Sequence, residues 1–254
     1  MTKRDSTKAR VIRAYNSRVI RTYCTLRFQI MNMRILEEIG QYLPPTGRIL
    51  DVGCGFGFFT LYYALLSPGR RFVSIDVNRR RIDTARSASE ALHLSERVSF
   101  ENRSAETLTP QSVSCDAAYM LDLIHHLPKE CHRPLLEVIF QHLAPGGILI
   151  LKDIATSPRW KVAFTWILDI LMSPRQRPFY IDIVSMRDLL DSVGFDVKIM
   201  RFLTFFHIPT FSMCAEKAWA RDDETISLLD CRRMYGGNSR PSFGRSESSV
   251  ASCA

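Results

Sequence analysis

Alternating glycines near residue 55 carry the clearest chemical signal in the sequence. Asp51 precedes them, and the glycines are Gly53, Gly55 and Gly57. Glycines in such a turn let the backbone approach a ligand closely and open the start of the next helix toward it. A nicotinamide-type turn would have its third glycine at position 58, where this chain has Phe58. The pattern therefore favours a ligand other than a nicotinamide dinucleotide, and the alternative is a tight strand-to-helix turn that binds nothing.

A second acid, Asp76, ends the next apolar segment, 19 residues beyond Gly57. A carboxylate at this point can accept hydrogen bonds from both hydroxyls of a ribose. Taken alone, an acid at a strand end is more often a helix cap or a solvated loop residue. Its spacing from the glycine turn favours the nucleoside interpretation.

Two adjacent histidines, His125 and His126, are the candidates for acid–base chemistry. An imidazole titrates near neutral pH, so either ring is suited to take a proton from a hydroxyl group. The alternative is that one ring packs in the core and caps the next helix. His207, between two apolar segments, is a further candidate. Lys152 and Asp153 end another apolar segment, and they either shape a pocket or pair with each other.

The elements that must position these residues alternate between strands and helices. Apolar runs bounded by glycine and proline predict parallel βαβ units, hence a doubly wound α/β sheet of seven strands. The predicted strands are 48–52, 71–75, 97–101, 117–120, 148–152, 195–202 and 211–216. The predicted helices are 8–39, 58–66, 78–92, 129–143, 158–172 and 186–193.

The basic charge is confined to the start of the chain. Residues 1–36 hold nine Lys and Arg against one acid, so they carry the whole formal charge of +8. We divide the chain into a basic helical arm (1–46), a domain (47–220) and a tail without periodicity (221–254). The arm has Tyr15 and Tyr23 on its apolar stripe, which favours a helix that packs on the domain and covers its ligand pocket. Membrane contact through residues 8–36, RNA binding and a transit peptide are the alternatives.

Composition excludes several classes. The seven cysteines are scattered and never form Cys-x-x-Cys, so we expect reduced thiols and no metal site. No apolar run reaches the length of a spanning helix, and the first residues do not form a signal peptide. We therefore expect a cytoplasmic protein, with contact at a membrane surface as the open alternative.

These motifs, in this order from Ile49 to Asp153, resemble class I S-adenosylmethionine-dependent methyltransferases. The resemblance includes the turn Leu-Ala-Pro-Gly-Gly from Leu143 to Gly147. It implies S-adenosylmethionine as cofactor. The glycine turn with Cys54 and Asp51 would hold its methionine part, and Asp76 with Val77 its ribose. The adenine would lie by Ser104, Ala105 and Glu106, although the family usually has Asp where Ser104 stands, and the sulfonium by Leu121 and Asp122.

The same resemblance indicates the acceptor. His125-His126-Leu127-Pro128 is similar to the ending found in small-molecule methyltransferases, and the Pro-Pro-Tyr element of nucleobase amino methyltransferases is missing. An apolar segment at 160–180 predicts an inserted lid. We expect methylation of a small hydrophobic or aromatic acceptor (quinone-like, polyketide or lipid) in lipid or secondary metabolism, with no nucleic-acid partner. The alternatives are an RNA or protein methyltransferase that uses the basic arm, and a non-catalytic binding module.

Overall fold

Seven strands form one sheet in the computed structural model, which describes residues 3–31, 33–108, 114–154, 156, 179–205 and 208–217. The strands are β1 (Gly47–Val52), β2 (Arg70–Asp76), β3 (Val98–Asn102), β4 (Cys115–Leu121), β5 (Leu143–Ile154), β6 (Phe195–Phe205) and β7 (Ile208–Lys217). Their order in the sheet is β3-β2-β1-β4-β5-β7-β6. The predicted doubly wound sheet is therefore confirmed.

The first five strands are parallel and the last two are antiparallel. From β1 the chain continues outward to β2 and β3, and the connection after β3 returns to place β4 on the other side of β1. Parallel strands are covered by helices on both faces, which is why their sequences are almost continuously apolar. β7 joins β5 antiparallel, with Ile150 opposite Cys214, and β6 pairs with β7 at the sheet edge.

Seven α-helices belong to the part of the chain that the structure describes. They are α1 (Lys3–Ala14), α2 (Arg18–Ile30), α3 (Met33–Tyr42), α4 (Phe58–Leu66), α5 (Arg79–Ala91), α6 (Lys129–His142) and α7 (Ile183–Val193). Helix α4 is buried over nearly its whole length because the sheet covers one side and the N-terminal helices cover the other. Asn78 caps α5, since its side chain accepts a hydrogen bond from the backbone N of Arg81 at 3.2 Å.

The N-terminal arm differs from its prediction. One continuous helix over residues 8–39 is wrong, because the chain breaks into α1, α2 and α3. The first break has a local cause: Ser17 takes an extended conformation, and its Oγ accepts from the backbone N of Ile20 at 3.4 Å to begin α2. The break also turns Tyr15 inward, where its hydroxyl donates to the carbonyl of Phe56 at 2.7 Å.

Two further differences concern chain segments after β4. β5 begins at Leu143, five residues before the predicted strand 148–152, so that the predicted Pro-Gly-Gly turn lies within it. Leu143 pairs with Cys115 before the register shifts to Ala117 opposite Ile148. The predicted helix 158–172 and the tail 221–254 lie outside the described residues, as does His207. Among the described helices, none is both long and apolar enough to cross a membrane.

A buried arginine ties the arm to the sheet. Arg70, at the start of β2, is only 6% exposed. Its guanidinium donates to the carbonyls of Pro44 at 2.8 Å, Leu43 at 2.9 Å and Gly40 at 3.1 Å. These carbonyls belong to the end of α3 and the loop after it, where helical hydrogen-bond partners are missing. The Arg70 side chain therefore supplies hydrogen-bond donors to the carbonyls at the end of the arm and fixes the arm to β2.

Replacing Arg70 with Met should destabilise the protein strongly. The substitution leaves three carbonyls without their donor, and we expect a loss of about 3 kcal/mol in the free energy of unfolding. The matched control is Arg71→Met, because Arg71 is exposed, and it should change stability by less than about 0.5 kcal/mol. Urea unfolding followed by circular dichroism measures both; equal effects would contradict the role of Arg70.

Candidate active site

A cavity of about 220 Å³ opens at the carboxyl ends of β1, β2, β4 and β5. This is the edge at which doubly wound sheets bind ligands, next to the strand where the order reverses. Helix α2 lies against it and contributes four of the lining side chains. The lining residues are Tyr23, Leu26, Arg27, Ile30, Asp51, Gly53, Cys54, Gly55, Phe56, Phe58, Phe59, Asp76, Arg81, Leu121, Asp122, Leu123, His125, His126, Lys152 and Ile154.

The glycine turn forms one wall of the cavity. Its three glycines all have left-handed backbone conformations, with φ of 77° at Gly53, 56° at Gly55 and 75° at Gly57. A Cβ placed on Gly55 would meet nothing within 4 Å, whereas one on Gly57 would meet the ring of Phe100 at 2.5 Å. Gly55 therefore exposes its backbone to open space at the cavity, while Gly57 allows α4 to pack closely against β3 and α5.

Asp76 is held in place by the turn itself. One carboxylate oxygen accepts from the backbone N of Gly55 at 2.9 Å, and the other accepts from the backbone N of Asn78 at 2.8 Å. The side chain is buried but still reaches the cavity. The first glycine of the turn is fixed too, because the backbone N of Gly53 donates to the carbonyl of Ile75 at 2.9 Å. The ends of β1 and β2 therefore form one rigid surface.

Asp51 sits deeper, at the base of the turn. Its Oδ2 accepts hydrogen bonds from the hydroxyls of Thr60 and Tyr119, the latter at 2.7 Å. Its Oδ1 makes no hydrogen bond to the residues that the structure describes. Burial raises the pKa of Asp51 to about 7, although the two hydroxyl donors pull it in the opposite direction. A cationic ligand next to Asp51 would therefore lower the pKa of this carboxyl group and favour its ionised form.

Asp122 is engaged by two cations. It has a left-handed backbone with φ of 57°, directly after β4. Its carboxylate bonds the ammonium of Lys152 through Oδ1 and the guanidinium of Arg27 through Oδ2, the latter at 2.9 Å. Burial opposes its ionisation, but Lys152 and Arg27 more than offset this and hold the pKa of Asp122 well below its usual range. Arg27 belongs to α2, so this ion pair connects the arm to the loop after β4, beside the cavity.

The two histidines have different surroundings. His125 is 2% exposed, and its Nδ1 lies 2.5 Å from Oδ1 of Asp153. Lys152 and Asp153 thus bind Asp122 and His125 respectively, rather than each other. The His126 ring lies 4.0 Å from that of His125, centroid to centroid. Burial, followed by the nearby His125, lowers the pKa of His126 to about 4, so His126 is neutral at pH 7.

Not every predicted residue lines the cavity. Gly57, Val77, Ser104, Ala105 and Glu106 are outside its lining. Ser104 precedes a short 3-10 turn, and its carbonyl accepts from the hydroxyl of Thr107 at 2.7 Å. Ala105 is buried in the core, and the side chain of Glu106 is outside the described residues. Val77 is exposed next to Asp76. The predicted adenine contacts remain a prediction.

Sequence analysis expected the arm to pack on the domain, but it named no residue of α2 in the site. Arg27 and Tyr23 line the cavity, although the sequence placed them only on a helical arm. Tyr23 packs edge-on against the rings of Phe56 and Phe58, with centroids 5.9 and 5.7 Å away. The available signal was Arg27 itself, a cation next to the apolar stripe of a helix that was expected to pack. Nothing in the sequence gave its partner, Asp122, 95 residues away.

The raised pKa of Asp51 predicts an unusual dependence of stability on pH. An unfolded Asp ionises near pH 4, but the folded one does so near pH 7, so the folded state keeps a proton that the unfolded state has released. Stability should therefore fall as pH rises from 4 to 7. Asp51→Asn removes this titration and should gain up to about 4 kcal/mol relative to wild type between pH 4 and pH 8. Urea unfolding at several pH values measures it; a parallel pH dependence in the two proteins would contradict it.

Comparisons with known proteins show similarity to methyltransferases. A sequence model described as a methyltransferase domain matches residues 49–147. O-methyltransferase cnsE of Penicillium expansum is 30% identical over 131 residues, 50% of this chain and 46% of that protein. Ribosomal RNA small subunit methyltransferase G of Deinococcus deserti is 31% identical over 121 residues, 47% of each protein. The chain thus spans less than half of the length of these two curated relatives.

A solved structure gives the same fold. Magnesium protoporphyrin IX methyltransferase from Synechocystis PCC 6803, with bound SAH, superposes with a TM-score of 0.59 at 16% identity, over 73% of this chain and 83% of that one. The glycine turn and Asp76 fall inside the matched segment 49–147. Residues 49–147 therefore match a methyltransferase domain, and the fold is that of a solved methyltransferase, in agreement with the resemblance that the motifs indicated.

Proposed function

We propose that the chain binds S-adenosylmethionine in this cavity and transfers its methyl group to a small hydrophobic or aromatic acceptor. One observation carries the proposal: a single cavity brings the glycine turn and Asp76 together with a buried histidine, His125. The first two are suited to a nucleoside with a charged amino-acid group, and the third to a hydroxyl that must lose its proton.

The residues present fit this cofactor. Gly55 exposes its backbone to open space, so a ligand group can lie directly against the turn. Asp51 offers Oδ1 to an ammonium group, and Asp76 reaches the cavity from the end of β2. When bound, S-adenosylmethionine supplies a methyl group on a positively charged sulfur. Asp51, Asp76 and the turn then serve to bind and orient, which is the protein's main contribution to such a displacement.

The side of the cavity formed by α2 favours an apolar acceptor. Tyr23, Leu26 and Ile30 face it from the arm, and Phe59 faces it from α4. The one cation of α2 in this wall, Arg27, is already bonded to Asp122. A planar or aliphatic acceptor would therefore be held mainly by apolar contact, with few polar groups setting its orientation.

Asp76 is the residue whose loss should affect cofactor binding most cleanly. We expect Asp76→Ala to weaken the binding of S-adenosylhomocysteine by about 100-fold, because the carboxylate orders the turn and faces the cavity. The control is Asp83→Ala, another acid of the same region that is exposed on α5. Isothermal titration calorimetry measures both, with circular dichroism to show that each variant folds. Unchanged affinity in Asp76→Ala would refute this placement of the cofactor.

Membrane contact is the finer part of the proposal. Arg10, Arg13 and Arg18 are exposed around the turn between α1 and α2, without ion pairs among the described residues. Val19 is 78% exposed beside them, and Leu26 on the same helix is 43% exposed and lines the cavity. Cationic and apolar side chains in this arrangement suit an anionic lipid surface. An apolar acceptor would then reach the cavity along α2.

Labelling tests the acceptor. Purified protein and methyl-labelled S-adenosylmethionine are added to a cell extract, which is then separated into lipid-soluble, RNA and protein fractions. We expect label in the lipid-soluble fraction, at least 10-fold above the Asp76→Ala background. The double variant Arg13→Glu, Arg18→Glu should lose part of it when membranes are present. Label in RNA or protein would instead support the alternative acceptors, and no label despite intact S-adenosylhomocysteine binding would support a non-catalytic module.

A further inference from the structure

The junction between α1 and α2 places a phenol directly against the glycine turn. Tyr15 is only 1% exposed, and its hydroxyl donates to the carbonyl of Phe56 at 2.7 Å. The ring of Tyr15 packs edge-on against that of Phe58, with centroids 5.1 Å apart. Arg21 donates to the carbonyl of Tyr15 through Nε and to the carbonyl of Arg13 through Nη2, the latter at 3.3 Å. The backbone and the ring of Tyr15 are therefore both fixed.

The Phe56–Gly57 peptide group depends on hydrogen bonds from outside the turn. Phe56 lies between Gly55 and Gly57, which both have left-handed backbones and rotate more easily than other residues. The N–H of Gly57 donates to the carbonyl of Cys54 at 2.9 Å, and the carbonyl of Phe56 accepts from Tyr15. Among the residues that the structure describes, the Phe56 carbonyl has no other donor. Without the phenol, only the N–H end of this peptide group would be held.

The turn also keeps one backbone donor for a ligand. Four of its five N–H groups are bonded within the protein, those of Gly53, Cys54, Gly55 and Gly57. The fifth, the N–H of Phe56, has no acceptor in the part of the chain that the structure describes. Phe56 lines the cavity, whereas Tyr15 is outside the lining. Because a backbone N–H away from water needs an acceptor, this one is suited to an oxygen atom of a bound molecule.

The side chain of Phe56 is held independently of its carbonyl. Tyr23 of α2 packs edge-on against the Phe56 ring, with centroids 5.9 Å apart. Arg81 of α5 lies over the same ring, with its guanidinium carbon 5.8 Å from the centroid. Loss of the Tyr15 hydroxyl should therefore release the peptide group without displacing the ring.

We propose that Tyr15 is a positioning residue for the cofactor site: its hydroxyl holds the Phe56–Gly57 peptide group from the arm, so that the N–H of Phe56 is available to an oxygen of the bound ligand. The inference rests on the proposed function, in which that ligand is S-adenosylmethionine. Tyr15 acts through the turn rather than by contact with the ligand. The hydroxyl preorganises the turn, so that binding does not have to order it.

Two other tyrosines separate an effect on the turn from a general effect on the arm. The hydroxyl of Tyr63, a fully buried residue of α4, donates to the carbonyl of Leu36 in α3 at 3.0 Å. Tyr63→Phe therefore removes the same kind of bond between arm and domain, but away from the glycine turn. Tyr62 has a buried hydroxyl without a hydrogen bond among the described residues, so Tyr62→Phe removes no bond.

Selective labelling makes the Phe56 carbonyl visible by NMR. With carbon-13 in the phenylalanine carbonyls and nitrogen-15 in glycine, an HNCO spectrum shows only Phe–Gly pairs, and the sequence has two, Phe56–Gly57 and Phe243–Gly244. Phe243→Leu assigns the signals by removing the second pair. Because hydrogen bonding deshields a carbonyl carbon, Tyr15→Phe should move the Phe56 signal upfield, whereas the two control variants should leave it in place. An unmoved signal in Tyr15→Phe would overturn the proposal.

Calorimetry with S-adenosylhomocysteine measures the effect on binding. We expect Tyr15→Phe to bind about 5- to 10-fold more weakly than wild type, the effect of about one hydrogen bond, and both controls to bind within about 2-fold of wild type. Tyr15→Phe and Tyr63→Phe should lower the melting temperature alike, by about 2 to 4 °C, since each loses one buried hydrogen bond. Wild-type affinity in Tyr15→Phe, or an equal loss of affinity in Tyr63→Phe, would refute the positioning role and leave the proposed function intact.

The wild-type titration tests the proposed function separately. If wild type does not bind S-adenosylhomocysteine, the proposed function fails and the positioning role fails with it, whatever the Phe56 signal does. If wild type binds and only Tyr15→Phe loses affinity, both are supported. Each variant removes a single oxygen atom and keeps its ring, and circular dichroism shows that it folds.

Discussion

The attachment of the glycine turn to the end of β2 is the constraint on which the rest of the site depends. The backbone N of Gly53 bonds the carbonyl of Ile75, and the backbone N of Gly55 bonds the carboxylate of Asp76. These bonds exist only because β1 and β2 are parallel neighbours in register, with Val52 opposite Ile75. They leave the left-handed Gly55 with its backbone exposed to open space. A ligand site is therefore preformed by strand pairing, before any ligand contributes.

The opposite wall is built on ion pairs rather than on backbone. Asp122 pairs with Lys152 from β5 and with Arg27 from α2, so the arm is attached to the sheet through a largely buried charge cluster. Such pairs contribute less to stability than their geometry suggests, because both charges lose their hydration. They do impose a definite position: removing one partner leaves an uncompensated charge. The cluster thus serves to fix α2 over the cavity more than to stabilise the domain.

Adjacent residues of β5 bind different residues of the loop after β4. Successive side chains of a strand point to opposite sides, so Lys152 reaches Asp122 while Asp153 reaches His125. The loop is therefore bound at two residues, and its two neighbouring histidines have different hydrogen-bond partners. His125 has a carboxylate partner, whereas His126 lies in a buried, partly apolar setting in which its pKa falls to about 4. Two identical side chains therefore differ in hydrogen bonding and in charge only because their surroundings differ.

The sequence by itself determined the sheet and the position of the glycine turn next to Asp76, because these depend on local periodicity and on backbone conformations that only glycine adopts easily. It did not determine the break of the arm at Ser17, where a local cap overrides an apolar period that continues on both sides. The partners of Arg27, Lys152 and Asp153 were also undetermined. Those contacts join residues far apart in the chain, and no local rule selects among several acids and cations. Only the register of β4, β5 and α2 brings each charge within reach of its partner, and with it decides which histidine faces a carboxylate.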